Sequence, residues 1–294
     1  MSEMKFENTE EQKVFQEVFN ELPELIKGKC KGYDELYGYK LNFKDEDQQI
    51  VEKYYDEEIA KHLIYKVCKA FQFNKDHVTQ RIVDVLNWRR EFNPLSAAFL
   101  EKHDPELEEV GVITQYPEES PNKQVVTWNL YGQLVKKKEL FKDTNKFIRY
   151  RIGLMEKGLR LLQFDSIGNN YMTQVHDYNG VSVFRMDGNI KKCTKQVISI
   201  FQQYYPELLW AKYFVNVPVV FSWVYGVVKQ FVDEQTMSKF VVLSDGKKLN
   251  QYLKSAPKDY GGQNQKLKEQ NIQDMRPTKY GLYLLEKQNN EDVD

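Results

Sequence analysis

The stretch MTQVHDYNGVSVFRM, residues 172–186, alternates like a β-strand, and TKQVISIFQQYY at 194–205 then returns apolar side chains at helical spacing. The same change of period occurs on either side. Upstream, the strand pattern QVVTWNLYGQL (124–134) precedes the helical NKFIRYRIGLMEKGLRLLQF (145–164). Downstream, AKYFVNVP (211–218) precedes VVFSWVYGVVKQFV (219–232) and then KFVVLSD (239–245). Strands separated by helices predict an α/β fold with a mixed or parallel sheet covered by helices.

Residues from about 8 to 95 read differently. Apolar residues recur at three and four spacing in VFQEVFNELPELI and in VTQRIVDVLNWRREF, where Ile82, Val85, Leu86 and Phe92 form a stripe and Pro94 ends the run. The acidic passage HDPELEEVGV leads into the alternating part. The expected organisation is a helical module over 1–104, an α/β domain over 105–285 and a frayed acidic tail over 286–294.

The 294 residues, 41% hydrophobic and 14% aromatic, suffice for a sizeable core. A net charge of -1 gives no basic field for nucleic acid. Cys30, Cys68 and Cys193 are odd in number and far apart, as expected of reduced thiols in the cytosol. No phosphate-cradling GxxxxGK[ST], GxSxG elbow or HExxH occurs, and the four histidines are scattered, which leaves a hydrolase or nucleotide enzyme little support. The charged N-terminus MSEMKFENTEEQ lacks the apolar centre of a signal peptide, and Lys212, Asn216 and Pro218 interrupt the one long apolar run, so a cytoplasmic protein is expected.

Alternation over 175–178 puts His176 and Tyr178 on one side of the strand and Val175 and Asp177 on the other. An unpaired buried polar group costs about 1 to 3 kcal/mol, so the imidazole and the phenol need partners. Bonds to backbone or to each other are one solution. Other residues point to a second one. Arg151 shares a helical face with Phe147, Leu154 and Met155, and Lys212 shares a strand face with Trp210 and Phe214, so each is a cation on an apolar surface that an anion would satisfy. Tyr131 falls within reach of the same surface or serves as a core tyrosine.

Across most of its length the chain resembles the CRAL-TRIO, or Sec-fourteen-like, lipid-binding proteins. The resemblance is carried by VLNWRREFNPL, VHDYNGVS, FQQYYPELLWAKYFVNVPVVFSWV, DEQTMSKFVVL and PKDYGG, in that order and spacing. It implies a helical module packed on a domain whose mixed sheet floors a hydrophobic pocket. A gate helix would close over the pocket, here after Pro218 and amphipathic through Val219, Phe221, Trp223, Val224 and Val228. It further implies phosphatidylinositol as ligand, its headgroup held by Thr236 and Lys239, which on their own read as a helix cap and a solvated lysine. The chain departs from the family pattern at Leu208 and Phe71, where arginines are usual.

The segments GYDELYGYKL, VTWNLYGQLVKKKELF and RYRIGLMEKG resemble a fungal branch of the family that binds haem. An imidazole, two tyrosines and two cations around an apolar slot suit a flat apolar ligand bearing carboxylates. Residues i and i+2 of a strand stand about 7 Å apart on one face, so His176 and Tyr178 cannot both be trans ligands of one iron, and spacing does not choose between them. The resemblance implies Tyr178 as the axial ligand of ferric haem b, with Tyr131, Arg151, His176 and Lys212 lining the site; a tyrosine of that branch is Phe71 here.

The expected function is therefore a haem-binding protein that binds or transfers phosphatidylinositol, with a haem-free transfer protein second and a haem peroxidase or redox sensor third. Peripheral contact with endoplasmic reticulum or plasma membrane is expected through the gate helix and Lys136, Lys137 and Lys138.

Overall fold

The computed structural model describes residues 4–134, 136–181, 188–218 and 234–291. Its N-terminal part is helical: α1 (Thr9–Lys29), α2 (Gln48–Tyr54), α3 (Glu57–Ala70), α4 (Lys75–Phe92) and α5 (Pro94–Phe99), with the two-residue strands β1 (Glu35–Leu36) and β2 (Tyr39–Lys40) between α1 and α2. The boundaries follow from capping. Asn8, Asp47, Asp56 and Asn74 each accept a backbone N–H with their side chains at the starts of α1 to α4. Asn93 ends α4 in the left-handed region and caps α5, where Pro94 takes the first turn.

After α6 (Pro105–Glu108) a five-stranded mixed sheet forms from β3 (Gly111–Gln115), β4 (Val125–Asn129), β5 (Met172–Asp177), β6 (Leu209–Val215) and β7 (Phe240–Val242), in that spatial order. β3 is antiparallel to β4 and the remaining pairs are parallel. The crossovers include α7 (Thr144–Leu159), α8 (Gly188–Tyr204) and α9 (Glu234–Ser238); α10 (Lys279–Glu291) closes the described chain and runs through the segment read as an acidic tail.

Two strands are shorter than the alternation predicts. β5 stops at Asp177 because Tyr178 to Gly180 turn the chain: the Asn179 N–H donates to Asp177 Oδ1 at 2.8 Å and Gly180 takes φ 83°. β4 stops at Asn129, and Tyr131–Leu134 form a 3₁₀ turn. β3 is not marked by alternation, and its first residues fall in the acidic passage HDPELEEVGV. The expected gate helix, with Val219, Phe221, Trp223, Val224 and Val228, lies outside the described residues.

α7 packs directly on the sheet, since a Cβ at Gly158 would lie 2.7 Å from both Thr127 Cγ2 and Met172 Sδ. On the opposite face Trp128 meets Tyr260 and Tyr213 meets Tyr252, with ring centroids 5.0 and 5.7 Å apart, so the 3₁₀ turns after β7 cover that side. The helical part joins the α/β part through polar as well as apolar contacts. Arg89 on α4, wholly buried, donates to both carboxylate oxygens of Glu35 (2.8 and 2.9 Å) and of Glu156 on α7 (2.7 and 3.0 Å). Tyr33 and Tyr205 donate to the same two carboxylates, and Trp88 stacks on Tyr204 at 4.5 Å. Cys30, Cys68 and Cys193 are free and buried. Among the described residues no helix is long and apolar enough to cross a membrane.

Candidate functional site

Strand register brings most of the expected residues to the α7 side of the sheet. Asn129 is opposite His176, His176 opposite Phe214, Gln174 opposite Lys212, and Lys212 opposite Phe240. Tyr178 follows β5 directly, its N–H donating to Val215 O at 3.0 Å. The turn carrying Tyr131 fits against the turn after β5 because residue 132 is glycine: a Cβ there would overlap Asn179 O. Tyr131 thus stands edge-on to His176, centroids 5.0 Å apart, and 5.9 Å from Tyr178; Phe214 stacks on Tyr178 at 6.2 Å. From α7, Arg151 reaches between Tyr131 and Phe201, its guanidinium 5.8 and 5.5 Å from their rings. Lys212 lies 5.4 Å from the Phe214 ring and 5.7 Å from Phe240. Tyr131, Arg151, His176, Tyr178 and Lys212 therefore share one surface.

That surface is short of anions. Arg151 is 2% exposed and its Nε has no hydrogen-bond partner; neither has Nε2 of His176, 5% exposed. Among the described residues neither Arg151 nor Lys212 forms an ion pair. Lys212 keeps some accessible surface, yet burial, and then the Arg151 charge, pull its ammonium down to about 7. Burial likewise holds His176 far below the ordinary histidine range, with Lys212 and Arg151 adding to the effect. Burial raises the Tyr178 phenol, Tyr131 raises it further, and Arg151 opposes both. Protein charges here favour neutral imidazole and neutral amine, and an entering anion would reverse that preference.

Lys239 belongs to a second cluster. Its Nζ lies 3.7 Å from Glu207, which also pairs with Lys69 at 3.0 Å and accepts from the Tyr171 hydroxyl at 2.9 Å. Lys66, buried, donates to the Glu207 carbonyl at 3.2 Å and sits 3.2 Å above the Tyr171 ring. Burial drives Lys66 well below the ordinary lysine range, partly offset by Glu207. Burial also acts to raise Glu207, but Lys239, Lys69 and the hydrogen bonds from Lys69 and Tyr171 outweigh it and keep the carboxyl low. Two lysines thus pair with one ionised carboxylate, and a third binds the backbone carbonyl of the same residue. Thr236 enters through its backbone carbonyl, which accepts from Lys239 N at 3.1 Å. The Lys212 N–H donates to Lys239 O at 2.8 Å, so the two clusters adjoin across β6 and β7. Leu208 is buried beside Glu207, and Arg81 on α4 lies 5.0 Å over the Phe71 ring, bringing a guanidinium to the neighbourhood of that departure.

Sequence reasoning missed Asn129, Gln174, Glu207, Lys66, Lys69 and Tyr171. Asn129 was signalled by the alternation that selects Tyr131 two residues later; nothing local marks Glu207, which takes φ 51° just before β6. Lys137 pairs with Glu106 at 3.0 Å, while Lys136 and Lys138 are exposed.

A mixed sheet backed by helices on one face, with cations and aromatics gathered on that face, is an arrangement suited to an anionic, partly apolar ligand. The chain belongs to the CRAL/TRIO family: the CRAL/TRIO domain matches residues 110–262. It is 64% identical over 294 residues to phosphatidylinositol transfer protein SFH5 of Vanderwaltozyma polyspora, spanning 99% of this chain and 100% of that one. It is 61% identical to the protein of the same name from Saccharomyces cerevisiae (strain ATCC 204508 / S288c), with the same coverage. A solved structure described as the crystal structure of Sfh5 superposes with a TM-score of 0.95 at 61% identity, covering 98% of this chain and 99% of that one.

Proposed function

We propose that the protein binds phosphatidylinositol and moves it between membranes, and that it holds ferric haem on the α7 face of its sheet. The lipid half rests on the name carried by relatives that match over nearly the whole chain, and on the lysines around Glu207. Lys66, Lys69 and Lys239 would hold the phosphate of the headgroup, and the ionised Glu207 would accept from inositol hydroxyls. Work at a membrane surface would be peripheral, with Lys136 and Lys138 exposed to anionic lipid.

One observation carries the haem half: Arg151 and His176 crowd Tyr131 beside Tyr178, Lys212 lies over the adjoining Phe214, and no carboxylate is paired to either cation among the described residues. Among those residues no group of three or more His, Cys, Asp or Glu could hold a bare metal ion, whereas a porphyrin iron needs a single protein donor. Tyr178 would be that donor. Its half-buried phenol must lose the Oη proton to serve, and the Arg151 charge favours the phenolate. Lys212 and Arg151 would face porphyrin carboxylates, and His176 and Phe214 would fix the Tyr178 ring. When bound, haem supplies a ferric centre with Lewis acidity and a redox couple.

The test is an absorption spectrum and pyridine haemochrome assay of the purified protein, with vesicle-to-vesicle transfer of phosphatidylinositol measured on the same preparation. A Soret band and stoichiometric haemochrome are expected together with transfer. A colourless protein that resists haem reconstitution but transfers lipid would leave the lipid half standing alone.

A further inference from the structure

Of the eight buried side-chain nitrogen and oxygen atoms without a hydrogen-bond partner among the described residues, five belong to Asn129, Tyr150, Arg151 and His176. Orphaned polar atoms at random positions would scatter through the core; these adjoin. Asn129 on β4 faces His176 on β5 and, on its other side, pairs in register with Gly111 on β3. The Tyr150 hydroxyl hangs over that same Gly111, where a Cβ would overlap Oη, so the absence of a side chain at 111 is what lets the phenol in beside Asn129. Tyr150 and Arg151 are consecutive on α7, and the Arg151 charge acts on both the Tyr150 and the Tyr131 phenols. Asn129 is 2% exposed and Tyr150 4%, yet both amide atoms of Asn129 and the Tyr150 hydroxyl are unsatisfied.

A cluster of this kind costs stability unless something fills it. Beside the Asn129 Oδ1 acceptor and the His176 Nε2, the groups offered are the amide Nδ2, a phenol O–H and a guanidinium Nε: three donors, one of them charged. Their common complement is an oxyanion. We infer that Asn129 and Tyr150 complete an oxyanion pocket with Arg151, one that receives a carboxylate at the edge of a flat apolar ligand lying on the sheet. This rests on the haem reading above for the identity of the flat ligand, in which the oxyanion is a porphyrin propionate. Neither residue touches iron in this assignment, so its consequences are measurable without any metal.

The experiment compares iron-free protoporphyrin IX with its dimethyl ester, in which both carboxylates are masked, by fluorescence titration of the full chain. The wild type is expected to bind the diacid more tightly than the ester. Asn129→Leu and Tyr150→Phe should each weaken the diacid roughly tenfold and leave the ester within about twofold, as loss of a hydrogen bond to a charged group requires. Tyr150→Phe keeps the ring packed against Phe147 and His103, so it tests the pocket even where Asn129→Leu fails to fold. Equal losses for diacid and ester, or no loss, would overturn the inference by showing that these atoms are structural or merely hydrate. Tyr178→Phe separates this from the reading beneath it: a haem spectrum that survives Tyr178→Phe refutes the iron assignment while the diacid-to-ester ratio, measured without iron, still judges Asn129 and Tyr150.

Discussion

The phenol of Tyr260 donates a 2.7 Å hydrogen bond to Oδ2 of Asp177, the residue immediately before Tyr178. Oδ1 of the same carboxylate receives Asn216 Nδ2 and the Asn179 N–H, each at 2.8 Å, and Asn216 in turn accepts the Gly246 N–H at 2.8 Å. The end of β5 is therefore pinned from the face opposite the site, and with it the backbone that aims Tyr178. Tyr260→Phe should lower the unfolding free energy by about 1 to 2 kcal/mol and shift the ferric electron paramagnetic resonance signal of haem-loaded protein. A destabilised variant with an unaltered signal would show that the clamp holds the fold and not the ligand geometry.

Tyr178→Phe should abolish most haem retention or replace the spectrum altogether. His176→Ala should keep the iron while changing spin state, potential or affinity, because a phenolate is a hard donor that favours ferric iron and the imidazole beside it only tunes that donor. Absorption spectra and reductive titrations of both variants decide the matter; haem kept in Tyr178→Phe and lost in His176→Ala would exchange the two roles.

Lys212 gives a pH signature. Its ammonium titrates at about 7 in the folded protein, below the ordinary 10.5, so between those values the unfolded chain holds a proton that the folded one lacks. Stability of the ligand-free protein should then rise as pH increases from about 7 towards 10.5, and the penalty of the buried charge is fully present below 7. Lys212→Met should stabilise the ligand-free protein at pH 6 by about 1 to 3 kcal/mol and flatten that slope. Urea denaturation at pH 6 and pH 9 measures both, and a destabilised variant at pH 6 would mean that the ammonium has a counter-charge.

Lys239→Ala should cut phosphatidylinositol transfer between vesicles roughly tenfold, the worth of a charged hydrogen bond, while leaving haem content nearly unchanged. Lys66→Met, which removes a lysine that burial already disfavours, should also reduce transfer without lowering stability. Transfer at the wild-type level in both variants would take the Glu207 cluster out of headgroup binding.

Much of this was legible in the sequence for definite reasons. A strand that alternates fixes the side of His176, and a helical stripe through Phe147, Leu154 and Met155 fixes the side of Arg151; neither inference needs a partner strand. What escaped needed one. Lys66 and Lys69 stand three apart on α3, a spacing indistinguishable from a solvated face until Tyr171, some hundred residues later, brings its ring beneath both. Asn129 and Tyr150 become neighbours only because β3, hidden behind an acidic passage, places a glycine between them. At residue 178 the Tyr-Asn-Gly turn overrides the alternation and ends the strand early.

The salt bridge from Arg89 to Glu156 also bears on what can be exchanged between relatives. Glu156 sits five residues after Arg151 on one helix, so the element that presents the Arg151 guanidinium is moored to the N-terminal helices by its next turn. A chimera that grafted the α/β half onto foreign helices would inherit a buried carboxylate without its counter-ion, a defect costing about 3 to 5 kcal/mol. Only a donor whose helices carry an arginine at the position of Arg89 would be interchangeable, and ligand preference in such hybrids would travel with both pieces together.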